Sequence, residues 1–436
     1  MSVFSTIDEI KDILADARTN NYTLSVSSTV MNSDTLVLTS TTVEKPHKRI
    51  INNMKKIIEI NTDENYIVVE SGITWVEILE KLDTLGYTLL TTQSGLTFSV
   101  GGSFCGNAHG RKTYIPMVKD TIKEFTFVDG EGDIHTVDER FDVYHAFPGS
   151  LGLLGIIVTL KLNIRKTYTV CTKQEIIPYT EKSLDYIFSL SQNPTICMVN
   201  FQTSYFSDIR EIIVVKHSYS TTKDIPDKYD SSKYLKDTRW YYTFCILVLY
   251  ILSVFSILNS VRWTLEKYVS ESSITTKCIN INNAFDNWSR PYTPNFRIIE
   301  FFFPRANYIH CQTILMNIFT KNGMVPLSSG SRIIYEQVPS KGYLRFSSMS
   351  SKTNPYMSLV INYIENNNFE NLAKDIRTEI IDKNIHMSYH TVYKFSFSKQ
   401  DMKFMFPYID EFKEIKKLYD KNTLFVNDFY YKYLAD

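Results

Sequence analysis

The 436-residue sequence has few of the features that mark a secreted or a zinc-binding protein. Its six cysteines are scattered, with no CxxC pair, and its N-terminus, where polar and acidic residues come early, has no secretory signal. This pattern argues against a disulfide framework and against a zinc site. We therefore expect an intracellular protein with reduced thiols and no metal site.

The chain also lacks an excess of charge of either sign. Lys and Arg number 47, and so do Asp and Glu. Without a net field to attract phosphate backbones, no nucleic-acid partner is expected. The length allows two domains with large cores.

Glycine is scarce, and the chain has neither a phosphate-binding P-loop nor a GxGxxG dinucleotide fingerprint. Several glycines nevertheless concentrate in residues 91 to 112, TTQSGLTFSVGGSFCGNAHGRK. Such small side chains let a ligand or a second backbone approach closely. The stretch predicts an extended run ending at Gly101 and Gly102, with a flat or anionic ligand against it. Taken alone, it would equally suit a glycine-rich turn in a packed domain.

Regular elements are predicted on both sides of this stretch. Upstream, residues 54 to 90 read as two β-rich runs followed by an amphipathic helix over 74 to 84, which Gly86 closes. Downstream come a hairpin that turns at Asp129 to Gly132 and a glycine-rich approach to a strand, PGSLGLLGIIVTLKLNI. The order of these parts is more specific than any one of them.

This order resembles the flavin-binding domain of the vanillyl-alcohol oxidase superfamily, in the branch of sugar-1,4-lactone oxidases and decaprenylphosphoryl-ribose oxidases. The matching pieces are ENYIVVESGITWVEILEKL, SVGGSFCGNAHGRK and residues 151 to 157, and residues 406 to 434 resemble the family's C-terminal tail. The resemblance implies an α+β, two-domain FAD-binding (PCMH-type) fold whose substrate domain is an antiparallel sheet covered by helices. We expect an FAD-binding domain over 1–166, a substrate or cap domain over 167–400, and a tail over 401–436 that returns to the FAD site.

The resemblance also implies FAD as the cofactor. Many members have a glycine-rich pyrophosphate loop with a histidine bonded covalently to the flavin, but residues 27 to 32 here contain neither glycine nor histidine. Hydroxyls and backbone N–H groups can still bind a pyrophosphate, so we expect non-covalent FAD. The expected cofactor-binding residues are Ser27, Ser28, Thr29, Ser94, Gly95, Ser99, Gly101, Gly102, Ser103, Gly106, Asn107, His109, Gly110, Gly152, Gly155, Ile157 and Lys394.

Four residues are expected to carry the chemistry. Lys394 matches the lysine that closes the His-Trp-x-Lys motif of lactone oxidases, and it is expected to bind the flavin and the substrate oxygen. Arg332 keeps the arginine of the family's Glu-x-Arg pair, although Gly330 stands in the place of the carboxylate. His390 and Tyr393 are the candidate proton acceptors, and His109 is expected to be a structural hydrogen-bond partner. Glu300 is expected to form an ion pair with Arg305 near the surface, which would contribute little to stability.

Residues 240 to 261 form the longest apolar run, with no charged residue. About 20 apolar residues can span a bilayer, but a single span would place the two halves of the expected flavin site on opposite sides. The run therefore predicts a helix lying in one leaflet, a re-entrant hairpin, or a helix buried in the substrate domain or in a dimer interface. Contact with a membrane, peripheral or monotopic, is the preferred expectation.

These observations predict an FAD-dependent oxidoreductase that oxidises a hydroxyl of a sugar, lactone, polyol or lipid-linked sugar. Two alternatives remain: a flavoenzyme like the sterol reductases of the same superfamily, and a catalytically degenerate, membrane-associated binding protein. The substrate, the electron acceptor and the oligomeric state are left open by the sequence.

Overall fold

The computed structural model describes residues 2–28, 45–204, 210–220, 239–254, 258–270, 275–278, 295–336, 342–393 and 396–435. It has a mixed α+β architecture with three sheets in the described residues. Two sheets are built from the N-terminal 166 residues, and the third is built from later strands.

The N-terminal sheets are a small parallel one and a larger antiparallel one. The first consists of β1 (Ser2–Phe4), β2 (Thr23–Ser27) and β3 (His47–Asn52), in the order β1-β3-β2. The second has the order β4-β5-β9-β7-β8, with β6 also paired to β9, and its strands are β4 (Ile57–Asn61), β5 (Tyr66–Glu70), β6 (Tyr87–Leu89), β7 (Ile122–Val128), β8 (Ile134–Asp138) and β9 (Ile156–Lys166). The hairpin expected at Asp129 to Gly132 is the β7–β8 connection.

Two helices of this region begin with capping boxes that the sequence encodes. Helix α1 (Ile7–Thr19) begins after Thr6, whose side chain and that of Glu9 bond each other's backbone N–H groups. Helix α2 (Trp75–Asp83) begins after Thr74 in the same way, with Glu77 as the partner. These reciprocal bonds satisfy donors that a helix end leaves open. The expected helix over 74 to 84 is thereby confirmed, and Gly86 follows it at a φ of 72°.

The third sheet is antiparallel and has eight strands in the order β13-β10-β12-β11-β15-β16-β14-β17. Its strands are β10 (Thr169–Pro178), β11 (Ile196–Thr203), β12 (Glu211–Tyr219), β13 (Thr275–Lys277), β14 (Phe296–Pro304), β15 (Val325–Ile334), β16 (Tyr356–Ile364) and β17 (Ser388–Tyr389). Helices pack on this sheet and bury apolar faces in a core that continues into the N-terminal region. The expected antiparallel sheet covered by helices is confirmed.

The remaining helices of the described residues are short or follow the strands they cover. They are α3 (Val100–Cys105), α4 (Asp142–Ala146), α5 (Glu181–Gln192), α6 (Arg239–Val254), α7 (Asn259–Ser270), α8 (Tyr308–Lys321), α9 (Phe369–Ile376), α10 (Lys399–Met405) and α11 (Ile409–Tyr419). Short 3-10 or π turns lie at Val118–Thr121, Arg305–Asn307, Arg377–Ile381 and Tyr430–Leu434.

The C-terminal tail packs on the N-terminal region. Phe425 forms a parallel bridge with Leu24 of β2. Lys416 of α11 is buried, and its ammonium donates to the carbonyls of Leu153 and Phe425 and pairs with Asp420. Three acceptors around one buried cation hold the tail against the loop that precedes β9. The domain limits 1–166, 167–400 and 401–436 stay a prediction, although β9 ends at Lys166 and β10 opens a different sheet.

Much of the apolar run 240–261 lies in two helices, α6 and α7. Among the described residues, no helix combines the length and the apolarity that a membrane span requires. Ile246 of α6 is buried in a small cluster with Phe296 and Leu327 of the third sheet, which anchors one side of that helix. Its other side remains exposed, with Trp240 at 73% and Phe244 at 65%.

Candidate functional site

The glycine stretch centres on a short helix, not on an extended run as the spacing predicted. Ser99 is the N-cap of α3, and its hydroxyl accepts a bond from the Gly102 N–H at 3.2 Å. Serine is among the best N-caps, and this local bond outweighs the weak helix propensity of the glycine pair. Gly101 and Gly102 therefore lie within a helix and do not adopt positive φ.

A side chain is excluded at Gly101 and at Gly102 for different reasons. A Cβ on Gly101 would lie 2.8 Å from the Cβ of Ser71 and 2.9 Å from its carbonyl oxygen, so α3 could not pack on the end of β5. A Cβ on Gly102 would lie 2.9 Å from the Ser99 hydroxyl and 3.8 Å from that of Ser28. Gly102 thus keeps a space open beside two serine hydroxyls, where a ligand can approach the backbone.

Serines line the edge where a pyrophosphate would be expected. The hydroxyls of Ser28 and Ser99 are hydrogen-bonded to each other, and Arg49 donates to the Ser27 hydroxyl at 2.9 Å. Residues 29 to 32, including Thr29, lie outside the described residues. The described part therefore supplies hydroxyls and one guanidinium, a donor set that suits a phosphate.

The other end of α3 meets the residues that follow β17. The Gly106 carbonyl accepts a bond from His390 Nε2 at 2.8 Å, and a Cβ on Gly106 would lie 3.2 Å from the Val392 side chain. Asn107 adopts a φ of 54°, and both polar atoms of its buried amide lack a partner among the described residues. Buried amides are normally satisfied, so these two atoms fit a bound group such as the flavin.

The other predicted cofactor residues are distributed around α3. The Ser103 hydroxyl accepts a hydrogen bond from the Trp75 indole N–H at 2.9 Å and donates one to the Ser99 carbonyl at 2.8 Å. These bonds place Ser103 in the core beneath the helix. A Cβ on Gly95 would meet the Phe98 ring at 2.5 Å, and one on Gly110 would meet the Thr91 hydroxyl at 2.3 Å. Both glycines are required by tight local packing.

The second glycine-rich segment forms the turn into β9. Gly152 and Gly155 have φ values of 77° and 149°, and a Cβ on Gly155 would lie 2.6 Å from the Val128 carbonyl. The carbonyl of Ile157 in β9 accepts a bond from the Ser71 hydroxyl. Ser71 thereby links β9 to the strand against which Gly101 packs.

Three neighbouring strands of the third sheet present a row of residues towards α3. The His390 N–H donates to the Glu300 carbonyl at 3.0 Å, Glu300 pairs with Val360, and Val360 pairs with Gly330. Directly opposed residues in antiparallel strands lie on one face. Arg332 is two residues beyond Gly330, so it lies on this face as well. A Cβ on Gly330 would have no atom within 4 Å, so this position of the row faces open space.

His109 lies between this row and α3. Its Nε2 is 3.0 Å from a carboxylate oxygen of Glu300, and its Nδ1 is 3.5 Å from the Arg332 guanidinium. The same guanidinium is 3.4 Å from the Ser94 hydroxyl. His390 Nδ1 approaches the same Glu300 oxygen at 3.6 Å. The second Glu300 oxygen is buried and has no partner among the described residues.

The charges of this cluster follow from burial and proximity. Burial lowers the pKa of His109 and outweighs the attraction of Glu300, so the imidazole is neutral. Burial alone would raise the pKa of Glu300, but His109, His390 and Arg332 together hold it well below its usual range. The cluster thus contains an ionised carboxylate that accepts hydrogen bonds.

Tyr393 lies beside His390, with ring centroids 5.4 Å apart. Removal from water, followed by the Glu300 charge, raises the pKa of its phenol. Lys394, expected to bind both flavin and substrate, lies outside the described residues. The structure thus brings together Arg332, His390, Tyr393 and His109, and the role of Lys394 stays a prediction.

Glu300 is the residue that sequence reasoning misjudged. It is 2% exposed and contacts His109, whereas Arg305 pairs with Asp185. Its partner is 191 positions away, so no local spacing reveals the pair. One signal was available: a lone carboxylate in the apolar strand RIIEFFFP has no local partner, and buried carboxylates are rarely left unpaired.

No metal site was predicted, although the ligand atoms of His109, Glu300 and His390 lie within 4.8 Å of one another. The nearby Arg332 guanidinium would repel a cation there.

Comparison with known proteins agrees with this geometry. Residues 3–138 match the family described as FAD binding domain. The N-terminal region is therefore an FAD-binding domain by sequence, and the matched segment contains α3 and His109.

Two fungal enzymes are among the similar proteins. The D-arabinono-1,4-lactone oxidase of Candida glabrata is 26% identical over 179 residues, covering 40% of this chain and 34% of that enzyme. The Saccharomyces cerevisiae enzyme of that name is 23% identical over 194 residues, covering 43% and 36%. Human Delta(24)-sterol reductase is 28% identical over a shorter segment of 124 residues, covering 28% and 24%. The matched segments thus span about a third or less of these relatives.

A solved structure extends the likeness to nearly the whole chain. A solvent-stable cholesterol oxidase superposes with a TM-score of 0.69 over 97% of this chain and 93% of that one, at 13% identity. At this identity the likeness establishes the fold. The N-terminal region is thus similar to an FAD-binding domain and to part of the D-arabinono-1,4-lactone oxidases, and nearly the whole chain has the fold of the cholesterol oxidase.

Proposed function

We propose that this protein is an FAD-dependent oxidoreductase that oxidises a hydroxyl group of a sugar, lactone, polyol or lipid-linked sugar. The observation that carries the proposal is the meeting of Arg332, His109, Glu300 and His390 at the glycine-rich helix of the FAD-binding domain. Oxidation of an alcohol requires a hydride acceptor, a proton acceptor and positive charge near the developing alkoxide. Bound FAD supplies the hydride acceptor.

The protein's own residues supply the rest. The Arg332 guanidinium, which lies 3.5 Å from His109 Nδ1, stabilises the negative charge that develops on the substrate oxygen. The hydroxyl proton passes to a histidine or tyrosine of the cluster. The Ser27, Ser28 and Ser99 hydroxyls, with Arg49 beside them, bind the pyrophosphate. Because the 27–32 segment has no histidine, the flavin is held without a covalent bond there.

Anaerobic reduction of the bound flavin tests the reaction class. We expect sugar-1,4-lactones or alditols to bleach the yellow colour, and Arg332→Met to retain FAD but bleach at least 100-fold more slowly, the order of one lost transition-state contact. Arg305→Met is the matched control because Arg305 pairs with Asp185 at the surface. Equal bleaching by Arg332→Met and wild type would contradict the role of Arg332.

Two other functions make different predictions in the same experiment. In a flavoenzyme like Delta(24)-sterol reductase, to which 28% of the chain is similar, a sterol double bond would reoxidise chemically reduced flavin, and sugars would not bleach the oxidised flavin. A degenerate binding protein would fold without a flavin. The open space at Gly330 and the serines in place of a glycine loop favour degeneration, whereas the intact α3 and the Arg332 cluster oppose it.

We further propose that α6 rests on an anionic lipid surface. Trp240, Phe244, Leu247 and Ile251 form an exposed stripe at intervals of four, three and four residues, the period of one helix face. Lys233, Lys236 and Arg239 precede the stripe in the sequence and provide charge complementary to acidic headgroups. Exposed apolar side chains next to basic residues are typical of helices that lie in a bilayer interface.

Sedimentation with vesicles tests this contact. We expect binding to vesicles that contain phosphatidylserine, and loss of binding when Trp240, Phe244 and Leu247 are replaced by serine. Ile58→Ser and Leu418→Ser provide controls, because those residues are exposed singly elsewhere. Retained FAD in the triple variant would show that the fold is intact. Unchanged vesicle binding, or a dimer that the triple variant abolishes, would contradict the lipid contact.

A further inference from the structure

The candidate site holds one buried carboxylate between two histidines, and the environments of the two rings differ. His390 Nε2 faces the Gly106 carbonyl at 2.8 Å, and its Nδ1 faces Glu300 at 3.6 Å. Both neighbours are acceptors that belong to the protein, so neither ring nitrogen of His390 faces a hydrogen-bond donor.

His109 has an acceptor on one side and a donor on the other. Its Nε2 faces the Glu300 carboxylate at 3.0 Å, and its Nδ1 faces the Arg332 guanidinium at 3.5 Å. The Gly110 carbonyl is also 3.3 Å from Nδ1, but a carboxylate at 3.0 Å is the stronger acceptor. The favoured state is therefore neutral, with the proton on Nε2 and the lone pair of Nδ1 directed towards Arg332.

Tyr393 does not compete for the proton. Its phenol is removed from water next to the Glu300 charge, which raises its pKa and keeps it protonated. A protonated phenol can donate a proton but cannot accept one. Among His109, His390 and Tyr393, His109 alone has a ring nitrogen that faces a donor, which leaves a lone pair on that nitrogen.

We propose that His109 Nδ1 accepts the hydroxyl proton of the substrate and that Glu300 is the positioning residue that makes this possible. This inference rests on the proposed function. As the substrate O–H bond breaks, its proton moves to Nδ1. Bound FAD would accept the hydride from the carbon that bears this oxygen, and the C–O bond becomes a carbonyl. Glu300 holds the tautomer beforehand and stabilises the imidazolium that forms, as the carboxylate does in other carboxylate–histidine pairs.

Glu300 also lies in the same row of the sheet as Gly330, where a Cβ would have no atom within 4 Å. Glu300, Val360 and Gly330 are directly paired on β14, β16 and β15. Two strand spacings separate Glu300 from Gly330, about 10 Å. Glu300 therefore provides the carboxylate of this row, and it acts through His109.

Nitrogen NMR of protein labelled with 15N-histidine tests the proton positions without any substrate. In wild-type holoprotein between pH 7 and 8 we expect His109 as the neutral Nε2–H form, with its signals assigned by their loss in His109→Gln. We expect Glu300→Gln to weaken the preference for this tautomer while FAD stays bound. A charged His109, or a proton on Nδ1 in the wild type, would overturn the proposal.

Single-turnover bleaching with D-arabinono-1,4-lactone tests the reaction step. His109→Gln retains an amide N–H for Glu300 but removes Nδ1, so we expect bound FAD and bleaching at least 100-fold slower. His390→Gln should slow bleaching less than tenfold. The reverse ranking would overturn the assignment of His109. If wild type binds FAD but the lactone does not bleach it, oxidation of this donor fails, and the NMR result still decides the state of the histidines.

Discussion

Gly102→Ala separates binding of the cofactor from stability of the fold. The added methyl group would lie 2.9 Å from the Ser99 hydroxyl, which can turn away only by giving up its cap on α3. Loss of an N-cap costs about 1 kcal/mol, whereas alanine in place of glycine within a helix gains about 0.5–1 kcal/mol. The two effects nearly cancel, so the apoprotein should unfold at almost the same urea concentration as wild type.

Flavin binding should respond differently. If a pyrophosphate lies between Gly102 and the serine hydroxyls, the methyl group occupies its space, and we expect at least tenfold weaker binding of FAD. Quenching of FAD fluorescence on titration of apoprotein measures this affinity. Gly330→Ala is the control, because its methyl group would have no atom within 4 Å. Wild-type affinity in Gly102→Ala would refute the placement of the cofactor at α3.

Two further predictions concern stability. Burial lowers the pKa of His217 to about 3, below the unfolded value of about 6.5, so the unfolded chain binds the proton first as the pH falls. As the pH falls between those values, the free energy of unfolding should therefore decrease by about 1.4 kcal/mol per pH unit. His217→Gln should reduce this slope. An unchanged slope would contradict a buried, neutral His217. Lys416→Met leaves Asp420 buried without its cation, so urea unfolding should show a free energy of unfolding lower by about 3–5 kcal/mol. Lys417→Met, which breaks an exposed pair with Glu414, should lower it by under about 1 kcal/mol. Equal losses in the two variants would contradict the docking of the tail.

The local elements could be predicted because their signals are local. The capping box at Thr74 and Glu77 fixes the start of α2, and the Asp129 turn fixes the β7–β8 hairpin, each within a few residues. The glycine stretch was misjudged as extended because a six-residue helix is too short to show the hydrophobic periodicity of a helix. The hydrogen bond of its N-cap, Ser99, becomes apparent only when the backbone conformation is known.

The site could be predicted only in part. The resemblance of GSR at 330–332 to a family motif led to Arg332, and His390 and Tyr393 also lie in the cluster. Glu300 could not be recognised as their centre, because sheet pairing brings it to His390 and domain packing brings it to His109. Such contacts depend on register across several strands, which no single stretch of sequence records.

The most direct test of the account is the visible absorption spectrum of the purified protein, before and after acid precipitation. We expect a yellow protein whose colour passes into the supernatant, as required for FAD held by α3 and the serines without a covalent bond. A colourless, well-folded protein would contradict the flavin site itself. Colour retained in the pellet would contradict non-covalent attachment and require a link to a residue outside the 27–32 segment.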